Sequence, residues 1–194
     1  MRLPMRHSTP RLRSRGFTML ETLIAILIVS FGLLGIAGIY VTGVQNNKSA
    51  NLRTLATQQA YDMADRMRAN LAGLTVPLPA MPYYHLPTET QTASCYTTTN
   101  CTPQQMALND YYEWNNTNST NSNRRVLPGG YGLTCLDSTP NDGTWDGSSV
   151  TDACDGLGTT YAIKVWWLDD RRSGLATTDP NAYLRVVTTL QPQP

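Results

Sequence analysis

Residues 11–44 of this chain read RLRSRGFTMLETLIAILIVSFGLLGIAGIYVTGV. A basic tract ends at Gly16, and an apolar run follows in residues 17–44, where Glu21 is the only formal charge. A membrane-spanning helix needs about 20 apolar residues, so this run is long enough to cross a bilayer with some tilt. The segment therefore predicts one membrane-spanning helix with a single charged side chain in it.

The basic tract sets the expected topology. Five arginines and no acidic residue precede Gly16, whereas only Lys48 and Arg53 follow the apolar run closely. Basic flanks stay on the cytoplasmic side of a membrane, so we expect a cytoplasmic N-terminus and a body on the other side. Without those five arginines, ten basic residues face fourteen acidic ones, a formal charge of −4. A body of this charge argues against nucleic acid as a partner, because sequence-independent binding needs a concentrated basic face.

The helical pattern continues beyond the apolar run. Apolar side chains recur at steps of three and four residues, which predicts one buried face on the same helix. We expect this helix to end near Leu71, because Gly73 and Pro77 follow. The predicted stripe consists of Leu52, Leu55, Gln59, Met63, Met67, Leu71 and Leu74, and the charged Asp62, Asp65, Arg66 and Arg68 lie off it.

A second helix is predicted after residues 102–105, TPQQ. A threonine N-cap, a proline at the first helical position and a glutamine at the third form a capping box. The helix should extend to about Trp114, with Ala107 and Tyr111 on the same face as Trp114. The aromatic residues, including Tyr112, would suit a ligand platform, but seating in a core is the simpler interpretation.

Three later segments, residues 131–136, 160–168 and 183–190, have the alternation and the β-branched or aromatic content of strands. They predict a small antiparallel sheet, and the amphipathic helix is the natural element to cover one face of it. We therefore expect an α+β fold. In the middle strand Tyr161, Ile163, Val165 and Trp167 alternate with Ala162, Lys164 and Trp166.

All four cysteines follow the apolar run. An even number on one side of a membrane indicates disulfides in an oxidising compartment. Three pairings are possible, and we favour Cys95 with Cys101 and Cys135 with Cys154, because sequence neighbours are the easiest to join. A zinc site is disfavoured because no C-x-x-C pair is present.

The chain offers little catalytic chemistry. Its two histidines are His7 and His85, and no catalytic triad, phosphate loop or histidine metal motif can be assembled around them. The pairs Asp169-Asp170 and Arg171-Arg172 suit a turn better than an acid–base pair. We expect no enzyme, no catalytic residue and no cofactor.

Four aspartates lie in or next to the segment between Cys135 and Cys154, and carboxylate oxygens suit calcium. Asp-Gly pairs are also ordinary turn chemistry, and the EF-hand order is absent, so turns are the preferred interpretation and no metal is expected. The aspartates are Asp142, Asp146, Asp152 and Asp155. In the polar loop of residues 115–123, Asn115 and Asn118 each begin a glycosylation sequon, a match that is common by chance in such loops.

Glu21 is the residue of the apolar run whose transfer into a membrane is unfavourable. A carboxylate in the outer turns of a membrane helix costs free energy, on the order of 2 to 3 kcal/mol for an acid at the centre, which marks it as a functional candidate. If the chain is cut after Gly16, Phe17 gains an α-ammonium one helical turn from Glu21, and a cation of this kind compensates a buried carboxylate. The alternative is that Glu21 lies among lipid headgroups at little cost.

Residues 15–21, RGFTMLE, resemble the type IV prepilin signal, K/R-G-F-T-x-x-E. The resemblance implies cleavage between Gly16 and Phe17 by a prepilin peptidase, N-methylation of Phe17, and pairing of Glu21 with the Phe17 amine of a neighbouring subunit. With the apolar run, the helix around residues 110–114 and the four late cysteines, the chain is similar to the minor pilins of the PilV family, the type IV pilus modification proteins.

This resemblance implies a type IV pilin fold, in which a long helix packs on a small antiparallel sheet in a disulfide-stapled head. The expected parts are a leader, residues 1–16, a membrane and assembly half of the helix, residues 17–46, and a periplasmic head, residues 47–194. The protein would be a non-catalytic subunit of a priming or tip complex, first in the bacterial inner membrane and then in the pilus.

The implied partners are other minor pilins, the major pilin and the prepilin peptidase. A pseudopilin of a type II secretion system would share Gly16, Phe17 and Glu21. An adhesin or DNA-uptake minor pilin would bind a ligand with its head, and an ordinary single-span receptor would keep residues 1–16.

Overall fold

The computed structural model describes residues 16–74, 83, 91–97, 100–169 and 174–191. The predicted leader before Gly16, His85, and the turn formed by Asp170 and the Arg171-Arg172 pair fall outside these residues. The chain forms two compact units, residues 1–44 and residues 45–194.

The longest element is helix α1, Met19–Ala69, which a short turn of helix, α2, Leu71–Leu74, follows. α1 begins two residues later than Phe17, where the apolar run begins, because the hydroxyl of Thr18 accepts a hydrogen bond of 3.2 Å from the backbone N–H of Glu21, as an N-cap residue does. Every residue from 16 to 48 is exposed. The helix is long and apolar enough to cross a membrane, with a mean hydropathy of 2.5 in its most apolar window.

From residue 49 onward α1 buries one face in the second unit. Small side chains alternate with larger ones there, so the backbone of the helix lies close to its neighbours. The predicted stripe is wrong at Leu71, which is 48% exposed, because α1 ends at Ala69 and does not carry its register that far. The buried residues of α1 are Ser49, Leu52, Ala56, Ala60, Met63, Ala64 and Met67.

Three antiparallel strands form the sheet, in the order β1-β4-β5, and this confirms the predicted α+β class. A two-stranded hairpin, β2 with β3, stands apart from the sheet. The strands are β1, Tyr131–Leu136, β2, Thr144–Trp145, β3, Val150–Thr151, β4, Tyr161–Leu168, and β5, Tyr183–Leu190.

Helix α3, Pro103–Asn115, starts with the predicted capping box. The hydroxyl of Thr102 accepts from the N–H of Gln105 at 3.2 Å, and the Gln105 side chain accepts from the N–H of Thr102 at 2.9 Å. Tyr111 and Trp114 are each 1% exposed, so the core interpretation of these aromatics is confirmed. Trp114 Nε1 donates to the carbonyl of Gln59 at 2.8 Å and so ties α3 to α1. Another short turn of helix, α4, Asn123–Val126, precedes β1.

The two faces of β4 enter two different cores. Tyr161, Ile163, Val165 and Trp167 pack in the cluster that contains the buried face of α1 and the aromatics of α3. Ala162 and Trp166 pack in a second cluster with Trp145, Ala153 and Tyr183, under the segment between Cys135 and Cys154. Disulfide bonds join Cys95 to Cys101 and Cys135 to Cys154, with Cα–Cα distances of 4.9 and 6.0 Å.

Lys164, in the middle of β4, points into the second core. Its Nζ donates to Asp137 Oδ2 at 2.6 Å, to Asp142 Oδ1 at 2.8 Å and to the carbonyl of Ala153 at 2.6 Å. The side chains of Lys164 and Asp137 are both 0% exposed. A buried ammonium is tolerated when acceptors surround it. Through these bonds Lys164 holds the segment between Cys135 and Cys154, here called the disulfide-closed loop, on the sheet. The guanidinium of Arg185 adds a second clamp, because it donates to the main-chain carbonyls of residues 141–143.

We predict that Lys164→Met lowers the free energy of unfolding of the head by about 3 to 5 kcal/mol, because it leaves the Asp137 carboxylate buried without its cation. Thermal unfolding of the full chain in detergent, followed by near-ultraviolet circular dichroism, measures the change. The matched control is Arg68→Met, which removes the exposed ion pair with Asp65 (2.6 Å) and should cost no more than about 1 kcal/mol. Equal effects of the two substitutions would contradict the assignment.

Candidate processing and assembly segment

Gly16 and Phe17 lie before the first turn of α1 and have no helical hydrogen bonds to break. Phe17 is 83% exposed, and no atom lies within 4 Å of the position that a Cβ on Gly16 would occupy. The peptide bond between these residues is therefore accessible in a non-helical stretch of backbone. Arg15, the remaining residue of the motif at this bond, lies outside the described part of the chain.

Glu21 is the third residue of α1, in its first turn. Its backbone N–H is capped by Thr18, so Thr18 and Glu21 have the spacing of a capping box. The same spacing predicted the start of α3, but it was not applied to Thr18 and Glu21, where it would have moved the expected start of α1 from Phe17 to Met19. A carboxylate in the first helical turn interacts favourably with the positive end of the helix dipole. In the uncut chain Phe17 precedes the N-cap, so its position one helical turn before Glu21 stays a prediction for the processed chain.

Three hydroxyl side chains of this segment bond back to their own helix. The hydroxyls of Thr22, Ser30 and Thr42 donate to the carbonyls three or four residues earlier, at 2.8, 2.7 and 3.1 Å. Such bonds remove the cost of placing a hydroxyl in an apolar medium. Within residues 19–44, Glu21 is therefore the group whose charge a lipid or protein environment has to accommodate.

The apolar surface of residues 17–44 also carries gaps at its glycines. Gly32, Gly35 and Gly38 have no atom within 4 Å of a built Cβ, and α1 is continuous through them. Small residues on a membrane helix allow another helix to approach closely. The segment thus presents large apolar side chains, close-approach positions and one carboxylate on a single helix.

In the head, Arg66 joins α1 to α3. Its guanidinium is 2.9 Å from Asp62, 3.3 Å from Asp110 and 2.8 Å from Glu113. Burial alone would lower the pKa of Arg66, but the hydrogen bond to Glu113 and the charges of Asp62 and Asp110 raise it overall. Arg66 lies off the predicted stripe, and local periodicity gave no signal of this role, because its partners on α3 are 44 and 47 positions away.

The two acids from α3 have opposite pKa shifts. Burial raises the pKa of Asp110, although Tyr83 donates to this carboxylate at 2.8 Å. Burial also acts to raise the pKa of Glu113, but hydrogen bonds from Arg66 and Tyr96 outweigh it and leave the pKa lowered. The ion pair with Glu113 therefore stabilises the folded head at neutral pH, whereas the charge on Asp110 is less favourable there.

Three of the four aspartates in or next to the segment between Cys135 and Cys154 accept hydrogen bonds from the head itself. Asp146 accepts from the hydroxyl of Ser149 at 2.7 Å and from the N–H groups of Ser149 and Ser148 at 2.7 and 2.8 Å, and these hydrogen bonds lower its pKa. Asp142 accepts from Lys164 at 2.8 Å. Asp155 accepts from the N–H of Leu157 at 2.8 Å. These contacts support the turn interpretation, and among the described residues no group of three or more histidine, cysteine or acidic side chains is placed to hold a metal.

Two other candidates have structural roles. Asn115 is 0% exposed, and its amide donates to the carbonyl of Gly132 at 3.1 Å and accepts from the N–H of Gly132 at 2.9 Å. This sequon therefore lies under the edge of the sheet, while Asn118 is exposed. Asp169 is 4% exposed and accepts from the hydroxyl of Ser49 at 3.2 Å.

Two family models match the N-terminal part of the chain. Residues 11–37 match the model of the prokaryotic N-terminal methylation motif, and residues 38–112 match that of type IV pilin Tt1218. Searches of the curated proteins and of the solved structures gave no match to this chain.

The chain has a membrane-length apolar helix with a methylation motif. In its head an amphipathic helix packs on a small antiparallel sheet. Together these features define a class of subunits that are anchored by one N-terminal helix. Within that class, the two matches show that residues 11–112 are similar to type IV pilins and carry their N-terminal methylation motif. Proteins of this family are structural rather than enzymatic. The methylation motif implies processing by a prepilin peptidase and assembly with other pilins.

We predict that Glu113→Gln makes the free energy of unfolding of the head less dependent on pH in the acid range. Because the pKa of Glu113 is lower in the folded than in the unfolded chain, its contribution is complete above the ordinary value of 4.5 and is lost as the pH falls through the lowered pKa. The variant should therefore lose less free energy of unfolding than the parent chain between about pH 5 and pH 3. Thermal unfolding across this range measures it, and parallel profiles for the two proteins would refute the prediction.

Proposed function

We propose that this chain is a minor pilin of the PilV type, a non-catalytic subunit of the complex that primes or tips a type IV pilus. The observation that carries the proposal is the exposed apolar surface of residues 17–44, on which Glu21 is the single charged side chain. A surface of this kind is stable in lipid or among other helices and unstable in water. A filament core of packed helices offers the second environment.

Processing at the accessible bond supplies the missing cation. Water adds across the peptide bond between Gly16 and Phe17, which leaves a carboxylate on Gly16 and an α-amine on Phe17. Methylation keeps that amine basic, so it stays positively charged at neutral pH. Phe17 then carries the only positive charge within residues 17–44.

Glu21 is the partner of this amine in the proposed assembly. A carboxylate in a membrane helix costs free energy, on the order of 2 to 3 kcal/mol at the bilayer centre, and for Glu21 pairing with the methylated amine of a neighbouring subunit offsets whatever part of that cost its depth imposes. Because the pair forms only when one helix lies beside another in the right axial register, it selects that register. Removal of Glu21 should therefore impair docking without affecting the fold of the head.

The head, in this proposal, remains in the periplasm while the chain is anchored in the inner membrane by one span with a cytoplasmic N-terminus. Other minor pilins and the major pilin are its partners. A type II secretion pseudopilin is the alternative, and it would use the same Gly16, Phe17 and Glu21. The size of the head and its two disulfides favour the pilus.

We predict that Glu21→Ala leaves the protein processed, folded and membrane-inserted but excludes it from filaments. Immunoblots of membrane and sheared-filament fractions measure the two outcomes in cells that lack the native copy. Ser30→Ala is the matched control, because it removes another polar group of the same helix whose hydroxyl bonds to the carbonyl of Ile26. Filament levels of Glu21→Ala equal to those of Ser30→Ala would contradict the docking role.

A further inference from the structure

The head contains a polar cleft that its proposed role in assembly does not use. The cleft has a volume of about 650 Å³ and lies between α1, α3, the turn of helix at Ala93–Tyr96 and the loop of residues 118–121. This volume falls within the range of about 300 to 1,000 Å³ that is typical of small-ligand sites. Its lining is mainly polar, so it suits a polar ligand better than an apolar one.

Uncharged amides dominate the lining. Gln58, Gln59, Gln91, Asn118 and Asn121 all contribute to it. Each carboxamide has one acceptor oxygen and an NH₂ group with two donors. Adjacent hydroxyl groups, which both donate and accept, are the complementary chemistry.

One of these amides has an unused acceptor. Gln59 Nε2 donates to the carbonyl of Asn121 at 3.0 Å, which fixes the orientation of this side chain in the lining. Its Oε1 is buried and accepts no hydrogen bond from the part of the chain that the structure describes. A buried acceptor without a donor is unfavourable, so a ligand hydroxyl that donates to it is favoured at this position.

An aromatic ring stands at the rim. Tyr96 is 54% exposed, yet its hydroxyl is held by Glu113 at 2.5 Å and by Asn109 Nδ2 at 3.1 Å. The disulfide between Cys95 and Cys101 anchors the same turn. The ring is therefore exposed but held in place, and its electron-rich face is suited to the C–H face of a sugar ring.

The charges of the cleft argue against anionic ligands. Arg66 is the only cation among the described residues of the lining, and Asp62 and Glu113 both pair with it. These residues therefore leave no uncompensated positive charge to hold a phosphate, a sulfate or a carboxylate. Asp62 and Glu113 are two carboxylates against one guanidinium, so the charged residues of the lining sum to −1, and a cationic peptide is the competing ligand that the test includes.

From these features we propose that the cleft binds a neutral oligosaccharide, with Tyr96 stacked on one sugar ring and the amide side chains bonded to its hydroxyls. This function goes beyond assembly into a filament and would give the head a ligand of its own. It does not depend on Glu21 or on any residue of the apolar segment.

The test applies the full chain to an array of neutral oligosaccharides that also carries heparin fragments and a lysine-rich peptide. The protein is kept in a detergent with a polyoxyethylene headgroup, because sugar detergents would compete. Calorimetric titration with the strongest neutral oligosaccharide then compares variants. Tyr96→Ala should weaken binding about tenfold or more, as removal of an anchoring aromatic does, and Tyr96→Phe should retain binding within about threefold because the ring remains.

Tyr61→Ala is the matched control. Tyr61 lies on α1, is also 54% exposed, and is not among the residues that line the cleft, so its removal should leave the affinity unchanged. Absence of any neutral ligand on the array, preference for the heparin or lysine-rich probe, or equal loss from Tyr61→Ala and Tyr96→Ala would overturn the proposal. Filament incorporation of Tyr96→Ala should be normal in every case, which separates this test from that of the assembly role.

Discussion

The apolar surface of residues 17–44 has to be removed from water, and the rest of the chain is consistent with that constraint. Seventeen large hydrophobic side chains between Phe17 and Val44 are exposed in the isolated chain, which amounts to tens of kcal/mol, in order of magnitude, of unfavourable hydration. In the proposed function, lipid removes this cost before assembly and neighbouring helices remove it afterwards. Both environments disfavour unpaired polar groups, and the hydroxyls of Thr22, Ser30 and Thr42 bond to their own helix. Glu21 is the remaining charged group, to which we assign the proposed assembly contact.

In the head, both faces of a three-stranded sheet have to be covered by other parts of the chain. Helices α1 and α3 cover one face, and the disulfide-closed loop covers the other. That loop is short of apolar residues, so Lys164 and Arg185 fix it through charged hydrogen bonds to its carbonyls and carboxylates. A buried cation of this kind contributes little net stability compared with an apolar side chain, but it specifies one arrangement of the loop.

The local signals in the sequence predicted the elements well. The capping box at Thr102, the strand alternation and the length of the apolar run each depend on residues within a few positions of one another. Contacts between distant residues were not predictable in this way. By local pattern alone, Lys164 looks like an ordinary outward-facing residue of a strand, and Arg66 looks like a solvent-exposed residue of a helix. Asn115 looks like the first residue of a glycosylation sequon. Their partners lie up to 47 positions away, and only the folded chain brings them together.

In the proposed function the chain works as a processed subunit, and its Phe17 amine pairs with the Glu21 carboxylate of a neighbouring subunit. Top-down mass spectrometry of the protein isolated from membranes and from filaments tests this most directly. We expect a mature chain that lacks residues 1–16 and begins with Phe17 carrying one methyl group on its nitrogen. A membrane-inserted protein that retains residues 1–16, or one that begins at an unmethylated residue elsewhere, would contradict the claim.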